Sequence, residues 1–317
     1  MAVISIEQQR RTGLRARIHR VLDGDIFYSF IHSPLVVIAA GITVAYFLAA
    51  VFAPLIAPQN PFDPAALNLM DAFTPPVWTA DGNPHFLLGT DSQGRDILST
   101  IMYGNRISLV VGFCAVIFAI TIGVSLGMAA GYFGGWVETV IMRIADIKLA
   151  IPGLLIALMV DGIARSALPL GLREDLAIYV LIFSIGFSEW PRYARVTRGA
   201  TMVERNKDYV AAARVIGISP SAILVRHVLP NVMGPVLVLG TIGLALAIIT
   251  EATLSFLGVG VPPTTPSLGT LIRVGNNFLF SGEWWIVMFP AAALVVLVLA
   301  VNIMGDWLRD ALNPKLR

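Results

Sequence analysis

The stretch DYVAAARVIGISP, residues 208–220, is a polar island between two long apolar segments of the chain. It predicts a short helix from Asp208 to Ile216, because its three consecutive alanines have high helix propensity. Asp208 is expected to accept hydrogen bonds from first-turn amides and to favour the positive end of that helix. Gly217 suits the left-handed residue that closes a helix.

A second short helix is predicted directly after this turn. Ser219 is expected to cap it, and Pro220 occupies the first helical position, which proline favours. Pro230 is expected to interrupt this helix where the next apolar segment begins. Two short helices at an angle, with a face of small residues, would form a knob that fits a groove on a soluble partner. An ordinary helical hairpin is the alternative interpretation.

Composition places the chain in a lipid bilayer. Its 317 residues are 56% hydrophobic and only 13% charged, whereas soluble domains carry about 25% charged residues. Too few polar groups are present to cover a globule of this size in water. The formal net charge of +2 argues against nucleic acid as a partner, and the single cysteine, Cys114, excludes an internal disulfide.

Six apolar runs approach the length of about 20 residues that a membrane-spanning helix needs. Backbone groups in lipid must be satisfied within helices or closed barrels, and these runs are too long and too unalternating for barrel strands. We therefore predict an all-α integral membrane protein with six transmembrane helices, at residues 35–57, 107–131, 137–160, 176–190, 232–249 and 284–304.

Basic residues predict the orientation of these spans. Five arginines lie in residues 10–20, seven basic residues lie in residues 192–226, and three lie in residues 309–317. Six spans place these three segments on one side, which the positive-inside rule identifies as cytoplasmic. Both termini and the polar island are therefore predicted to be cytoplasmic. The loop between spans one and two, with five aspartates, is predicted to face the other side.

The end of that acidic loop reads LGTDSQGRDILS, residues 88–99, and is predicted to be structured. Gly89 and Gly94 permit tight turns. Thr90 or Asp91 is expected to cap a short helix that runs into span two. A membrane-surface helix and a docking site for a partner are the two interpretations of this segment.

No catalytic or metal centre is predicted. A P-loop needs Gly-Lys followed by Ser or Thr, and none of the three lysines, Lys148, Lys207 and Lys315, follows a glycine. The four histidines are scattered, without partners at ligand spacing. The chain is therefore predicted not to be an enzyme and to bind no cofactor, so that any ATP-driven work comes from another subunit.

Charged residues inside apolar runs are functional hypotheses by default. Arg143 and Asp146 are spaced i, i+3 and are predicted to pair on one helix face, with a substrate or proton pathway as the alternative. Glu251 lies at the far end of span five. We predict a structural role for it, with the translocation path as the alternative.

The polar island resembles the cytoplasmic signature of ABC-importer permeases. The family pattern is Glu-Ala-Ala, three residues, Gly, nine residues, Ile, one residue and Leu-Pro. Ala211 stands where the family has Glu, and His227 stands where it has Ile. Five residues match at the family's spacing: Ala212, Ala213, Gly217, Leu229 and Pro230.

Other motifs resemble the C-type permease of dipeptide, oligopeptide and nickel importers, over roughly residues 30–317. They are LGTD at 88–91 with GRD at 94–96, YGNRISL at 103–109, GYFGGW at 131–136, SFLGVG at 255–260 and NIMGDWLRDALNP at 302–314. Because these importers share the motifs, the resemblance leaves open whether the substrate is a dipeptide, an oligopeptide, a modified peptide or a nickel complex.

The resemblance implies a type I permease fold in the bacterial inner membrane. Expected partners are a second homologous permease, two ATPase subunits (or one homodimer) that use ATP and magnesium, and an extracytoplasmic substrate-binding protein. The loop 208–230 would couple to the ATPases, and Pro262, Pro263 and Pro266 would shape an outer gate or receptor contact. The expected coupling residues are Asp208, Ala211, Ala212, Ala213, Gly217, Ser219, Pro220, Leu229 and Pro230.

The predicted organisation has four parts. They are a cytoplasmic tail at 1–34, the first span and outer loop at 35–105, a five-helix permease core at 106–305 with a coupling loop at 196–231, and a tail at 306–317. An ion-coupled secondary transporter is one rival, which would be expected to show internal repeats or midplane carboxylates. A non-transporting scaffold that recruits a partner is the other.

Overall fold

A computed structural model describes residues 25–311 except residues 64, 66 and 263. Within this part the chain is almost entirely helical, and its β structure is a single isolated bridge between Thr90 and Asp96. Most of the predicted tails, residues 1–24 and 312–317, lies outside the described residues. The predicted all-α class is confirmed.

The α-helices of the described part are numbered in chain order. They are α1 (Asp25–Ile31), α2 (Pro34–Val51), α3 (Ala53–Ile56), α4 (Ile97–Phe133), α5 (Gly135–Ala150), α6 (Gly153–Ala167), α7 (Arg173–Glu204), α8 (Asp208–Val215), α9 (Pro220–Ile223), α10 (Leu229–Phe256), α11 (Leu268–Asn276) and α12 (Trp285–Ala311). Short 3₁₀ turns lie at Leu69–Asp71, Leu170–Leu172 and Leu279–Ser281.

Four helical segments of the described part are long and apolar enough to cross a membrane: α2, α4, the continuous run Pro220–Phe256, and α12. The α5–α6 pair adds a fifth if it is one bent span. Helix α7 has 32 residues but is far less apolar, because charged residues occupy its two ends. The count of six spans therefore stays a prediction.

Two predicted spans differ from the observed helices at a proline. Span three is broken where Ile151 adopts an extended backbone before Pro152, as the residue before a proline prefers, and α5 meets α6 at 97°. Span four was expected to end at Pro191, yet α7 continues through it to Glu204. Helix α12 likewise continues to Ala311, so the tail predicted at 306–317 begins inside a helix.

Helices α4 and α7 have the most extensive contact of any two helices in the described part. Gly123, Gly127 and Gly131 lie four residues apart on α4 and let the two backbones approach. A Cβ atom on Gly123 would lie 2.5 Å from Tyr193 Cβ, and one on Gly131 would lie 2.7 Å from the Arg198 carbonyl oxygen. Small residues at this spacing are a frequent device for packing helices in membranes. This close packing places the charged C-terminal end of α7 beside the C-terminal end of α4.

The largest core cluster joins α4, α6, α7 and α10, and it includes side chains from α8 and α9. A second cluster joins α2, α4, α10, α11 and α12. The short helices α8 and α9 are thus anchored in the same core as the long helices, which fixes their position relative to the spans.

Candidate functional site

Residues 208–230, here called the knob, fold as predicted in their first half. Helix α8 ends at Val215, and Gly217 has a positive φ of 82°. The Gly217 amide donates to the Arg214 carbonyl and the Ile218 amide to the Ala213 carbonyl, both at 3.0 Å. These bonds form the Schellman closure of a helix. The left-handed glycine inferred from sequence is confirmed.

The caps of the two short helices differ from the prediction in their side chains. The cap position of α8 is Lys207, and its carbonyl accepts from the amides of Val210 and Ala211. Asp208 is the first helical residue and makes no capping bond, so the predicted capping role is wrong. Ser219 does occupy the cap position before Pro220, but its backbone carbonyl rather than its hydroxyl accepts the first helical bond.

Pro230 does not interrupt the second helix, contrary to the prediction. Residues 224–228 instead form a π-turn in which the Leu229 amide donates to the Leu224 carbonyl. Pro230 has no amide hydrogen, so a regular helix would leave the carbonyl four residues earlier without its partner. The wider π register accommodates the missing donor, and the helix continues unbroken to Phe256.

Burial divides the knob into a root and a tip. The root consists of four apolar side chains that are buried in the main core: Val210, Ala213, Ile223 and Val228. The tip is the turn after α8, where Val215 is 88% exposed and Ile216 is 77% exposed. Ala211, Ala212 and Gly217 are also exposed. Of the predicted coupling residues, Ala213 is buried and Leu229 is half-buried, whereas the others are exposed: Asp208, Ala211, Ala212, Gly217, Ser219, Pro220 and Pro230.

A polar cluster that the sequence did not reveal holds the base of the knob. Glu204 accepts from Lys207 Nζ at 2.7 Å and from the Tyr209 hydroxyl at 2.6 Å. Asn231 Nδ2 donates to the Tyr209 hydroxyl at 3.3 Å and to the His227 carbonyl at 2.7 Å. The cluster therefore connects Tyr209, near the start of the knob, to Asn231, directly after its end and 22 residues later in the chain. No spacing rule links residues so far apart.

The protonation states of this cluster follow from its contacts. Burial and the bond to Glu204 raise the pKa of the Tyr209 hydroxyl to about 12. Burial alone would raise the pKa of Glu204, but its hydrogen bonds from Lys207 and Tyr209 lower it overall. At neutral pH Glu204 is therefore ionised and Tyr209 keeps the proton that it donates.

Three arginines connect the region around the knob to the end of α4 and the start of α5. Arg205 Nη1 donates to the Gly131 carbonyl at 2.8 Å and so satisfies a carbonyl that the helix end leaves free. Arg214, on α8, lies 5.1 Å from the centre of the Tyr132 ring. Arg198 Nε donates to Glu138 at 2.7 Å, across to α5. The knob itself therefore contacts the end of α4 through Arg214, and the residues that precede it contact the α4–α5 junction.

The predicted pair of Arg143 with Asp146 is not formed. Asp146 Oδ1 instead accepts from Arg195 Nη2 at 2.6 Å, and both side chains are about half exposed, at 56% and 54%. Asp146 faces α7, whereas Arg143 is exposed and has no ion pair with a described residue. The i, i+3 spacing singled out Asp146 as one member of an ion pair. The other member, Arg195, lies on the neighbouring helix α7 and could not be found from that spacing.

At the opposite end of α4, charged groups are buried. Asp96 caps the helix, since its Oδ2 accepts from the Ser99 amide at 2.7 Å, so the expected cap at Thr90 or Asp91 is wrong. Asp91 pairs with Arg95 at 2.7 Å, with both side chains less than 10% exposed. Trp285 Nε1 also donates to the Thr90 carbonyl at 3.0 Å. The segment is structured, as predicted.

The predicted outer loop lies near this same end. Arg165 Nη2 donates to the carbonyls of Val259 and Gly260, at 2.9 and 2.5 Å. Pro262 is half-buried and Pro266 is buried, while Pro263 lies outside the described residues.

Glu251 lies at the same level and is fully buried. It accepts from Ser108 and Ser255, both at 2.7 Å. These bonds tie α10 to α4, which agrees with the structural role predicted for Glu251.

Comparison with known families gives two matches. Residues 123–317 match the family described as binding-protein-dependent transport system inner membrane component. Residues 24–76 match the N-terminal TM domain of oligopeptide transport permease C. The first match covers the knob, and the second covers α2 and α3.

Curated relatives are similar over most of the chain. The dipeptide transport system permease protein DppC of Haemophilus influenzae is 43% identical over 85% of this chain and 87% of its own. The di/tripeptide transport system permease protein DppC of Pseudomonas aeruginosa is 40% identical over 84% of each chain. The glutathione transport system permease protein GsiD of Pectobacterium atrosepticum is 37% identical over 89% and 88%.

A solved structure shares the fold. An inward-facing form of the MetNI methionine ABC transporter superposes with a TM-score of 0.52 at 18% identity, over 68% of this chain and 98% of the other. The family matches and the curated relatives confirm the permease family inferred from the sequence motifs and a location in the inner membrane. The chain belongs to the family of binding-protein-dependent transport system inner membrane components.

Proposed function

We propose that this chain is the permease subunit of an ATP-driven importer that carries di- or oligopeptides across the inner membrane. The observation that carries this substrate class is the identity of 37–43%, over 84–89% of the chain, to permeases named for dipeptides, di- and tripeptides and glutathione. A nickel complex or another small solute is the alternative substrate that the motifs share.

The proposed assembly contains a second homologous permease, two ATPase subunits and an extracytoplasmic substrate-binding protein. The family description, which names a component dependent on a binding protein, supports the last of these partners. The ATPases would supply ATP hydrolysis, which needs magnesium, and this chain would have no catalytic role of its own. In the proposed orientation the chain has six spans, and the knob and both termini are cytoplasmic.

Within this assembly the knob would be the contact with an ATPase. A partner surface needs exposed apolar groups on a rigid support, and the tip provides Val215 and Ile216 while the root is buried in the core. When ATP binding draws two ATPases together, the knob would move with them. Arg205 and Arg214 would pass that movement to α4, as one step in a two-state rocking motion.

The test replaces Ile216 with aspartate and purifies the variant with its expected partners. A charge at the centre of the contact should strongly reduce the ATPase that co-purifies and should abolish peptide uptake, while the amount of permease in the membrane is unchanged. Leu87→Asp is the matched control, because Leu87 is also an exposed apolar residue but lies at the other end of α4. Wild-type ATPase recovery with Ile216→Asp would contradict the coupling role.

Uptake by the reconstituted wild-type complex separates the candidate substrates. Dipeptide uptake that requires both ATP and the ATPase subunits supports the proposal, whereas uptake driven by an ion gradient alone supports the secondary transporter. Uptake of a nickel complex but not of peptides would favour the alternative substrate.

We also propose that the loop around Pro262, Pro263 and Pro266 shapes the outer gate or the contact with the substrate-binding protein. Arg165 holds the start of this loop, and Thr264 and Thr265 are exposed at its turn. Deletion of residues 262–266 should abolish stimulation of ATP hydrolysis by the binding protein. Retained stimulation and uptake would overturn this assignment.

A further inference from the structure

Arg106 is a charged residue on an apolar surface. It lies in the third turn of α4, its side chain is exposed, and it forms no hydrogen bond or ion pair with a described residue. The preceding residue is held in place, because Asn105 is buried and its Nδ2 donates to the Tyr46 carbonyl at 2.8 Å. Arg106 therefore leaves the helix surface close to where α2 crosses α4, and its cation has no counter-charge among the described residues.

Arg106 borders an open groove of about 390 Å³ between α2 and α4. The walls are apolar and half-exposed, with Phe47 and Val51 on α2 and Val110 and Phe113 on α4. Cys114 lies at the far end, eight residues along α4 from Arg106, which is about 12 Å on a helix. Long side chains on a helix lean toward its N-terminus, so the guanidinium is directed away from Cys114 and toward the start of α4.

This arrangement has one end for an anion and one end for a hydrocarbon chain. Arg106 directly precedes the second predicted span, and the planar donors of a guanidinium match a phosphate with two parallel hydrogen bonds. A second groove, between α2 and α12, is similarly open and has about 500 Å³, but apolar residues alone line it. The two grooves on α2 therefore differ in the presence of a cation.

We propose that the α2–α4 groove binds a phospholipid, with the phosphate on Arg106 and an acyl chain along Phe113 toward Cys114. The hydrocarbon chain would be buried against the half-exposed aromatic walls, and the phosphate would neutralise the unpaired charge. A helix from a partner subunit would cover the walls equally well but would leave Arg106 unpaired unless it carried a carboxylate. Charge complementarity thus favours the lipid.

The test uses the assembled complex in phosphatidylethanolamine vesicles that contain phosphatidylglycerol with a photoactivatable acyl chain. After illumination, mass spectrometry of proteolytic peptides measures labelling of residues 106–114 and, as an internal control, of residues 296–303 in the cation-free groove. We expect labelling of 106–114 to fall at least about fivefold in Arg106→Gln, an effect of about 1 kcal/mol. Arg106→Lys should restore part of it, and labelling of 296–303 should not change.

Inorganic phosphate added in excess should not compete, since the acyl chain contributes to binding. Equal labelling of 106–114 in wild type and Arg106→Gln would overturn the proposal. So would absence of lipid label in the wild-type complex together with protection of the groove by a second permease, because the occupant would then be protein. Unchanged labelling of 296–303 shows that the Arg106 variants are folded.

Discussion

The knob and the entry segment, residues 58–96, lie at opposite ends of α4 and are held in different ways. Helix α4 has 37 residues, which corresponds to about 55 Å, enough to separate the two regions by the thickness of a membrane. The entry segment is fixed by a buried ion pair, Asp91 with Arg95, and by the cap at Asp96. The knob is fixed by buried apolar side chains and by hydrogen bonds that are partly exposed.

Both regions expose apolar groups, Met70 in one and Ile216 in the other. The two regions differ in what happens when one of the contacts that hold them in place is lost. A buried charge without its partner destabilises the whole fold, whereas a lost bond at a partly exposed base changes only local order. The entry segment is therefore expected to respond to a lost contact as part of the folded core does, whereas the base of the knob is expected to respond locally while the knob stays anchored.

The largest effect is expected at the entry segment. Asp91→Ala leaves Arg95 buried without its carboxylate and removes an acceptor for the amides of Gln93 and Arg95. We expect a loss of about 3–5 kcal/mol of stability, seen as a lower thermal midpoint and less extractable folded protein. Asp81→Ala is the control, because Asp81 is exposed and belongs to the same segment. Equal thermal midpoints for the two variants would contradict the comparison.

A smaller and local effect is expected at the turn of the knob. Gly217→Val places a branched residue at a φ of 82°, which costs about 1–2 kcal/mol. The tip should leave its docking position, so that ATPase recovery and uptake fall while membrane insertion survives. Gly199→Val is the control, since Gly199 lies inside α7 with no neighbour within 4 Å of a new Cβ atom. Normal uptake by Gly217→Val would count against the coupling role.

Loss of the hydroxyl at the base of the knob should have a milder effect. Tyr209→Phe removes the donor to Glu204 and the acceptor for Asn231, worth about 0.5–1.5 kcal/mol. Hydrogen exchange should become faster in residues 205–231 and stay unchanged in residues 88–99. Tyr179→Phe, at an exposed position on α7, should change neither. Unchanged exchange in the knob of Tyr209→Phe would show that the polar cluster does not hold it.

The smallest effect is expected where Arg214 lies over the Tyr132 ring. Arg214→Gln removes a contact worth about 0.5–1 kcal/mol at an exposed site. The Arg214→Gln substitution should slightly increase the rate of hydrogen exchange at the end of α4, and the complex with the ATPase subunits should still assemble. Arg226→Gln, which removes an exposed charge from the same knob, serves as the control, and an equal effect of both variants would point to net charge rather than to the ring contact.

The sequence predicts the features of these regions that depend on local backbone chemistry. Three alanines before Gly217 specify a helix and its left-handed closure, and both are present. The effects of Pro152, Pro191 and Pro230 on their helices were not predicted correctly, because such an effect depends on whether neighbours satisfy the carbonyl that the proline leaves free. Pro152 breaks its span, whereas Pro191 and Pro230 lie within continuous helices.

Contacts between distant parts of the chain could not be read from spacing. Asp146 finds its base on α7 rather than on its own helix, and Tyr209 meets Asn231 across the whole knob. The glycines at 123, 127 and 131 are visible in the sequence, but only the packing of α7 shows that they bring two helix backbones together. Such contacts are set by tertiary structure, on which a single sequence carries no direct signal.

Photo-crosslinking from the tip of the knob tests the coupling role most directly. A photoactivatable amino acid replaces Ile216 in one variant and Leu87, at the entry end, in another, and both are illuminated in the assembled, ATP-hydrolysing complex. We predict an adduct with an ATPase subunit from position 216 and none from position 87. An active complex that gives no ATPase adduct at position 216, or gives one at position 87, would contradict the assignment of the knob as the coupling element.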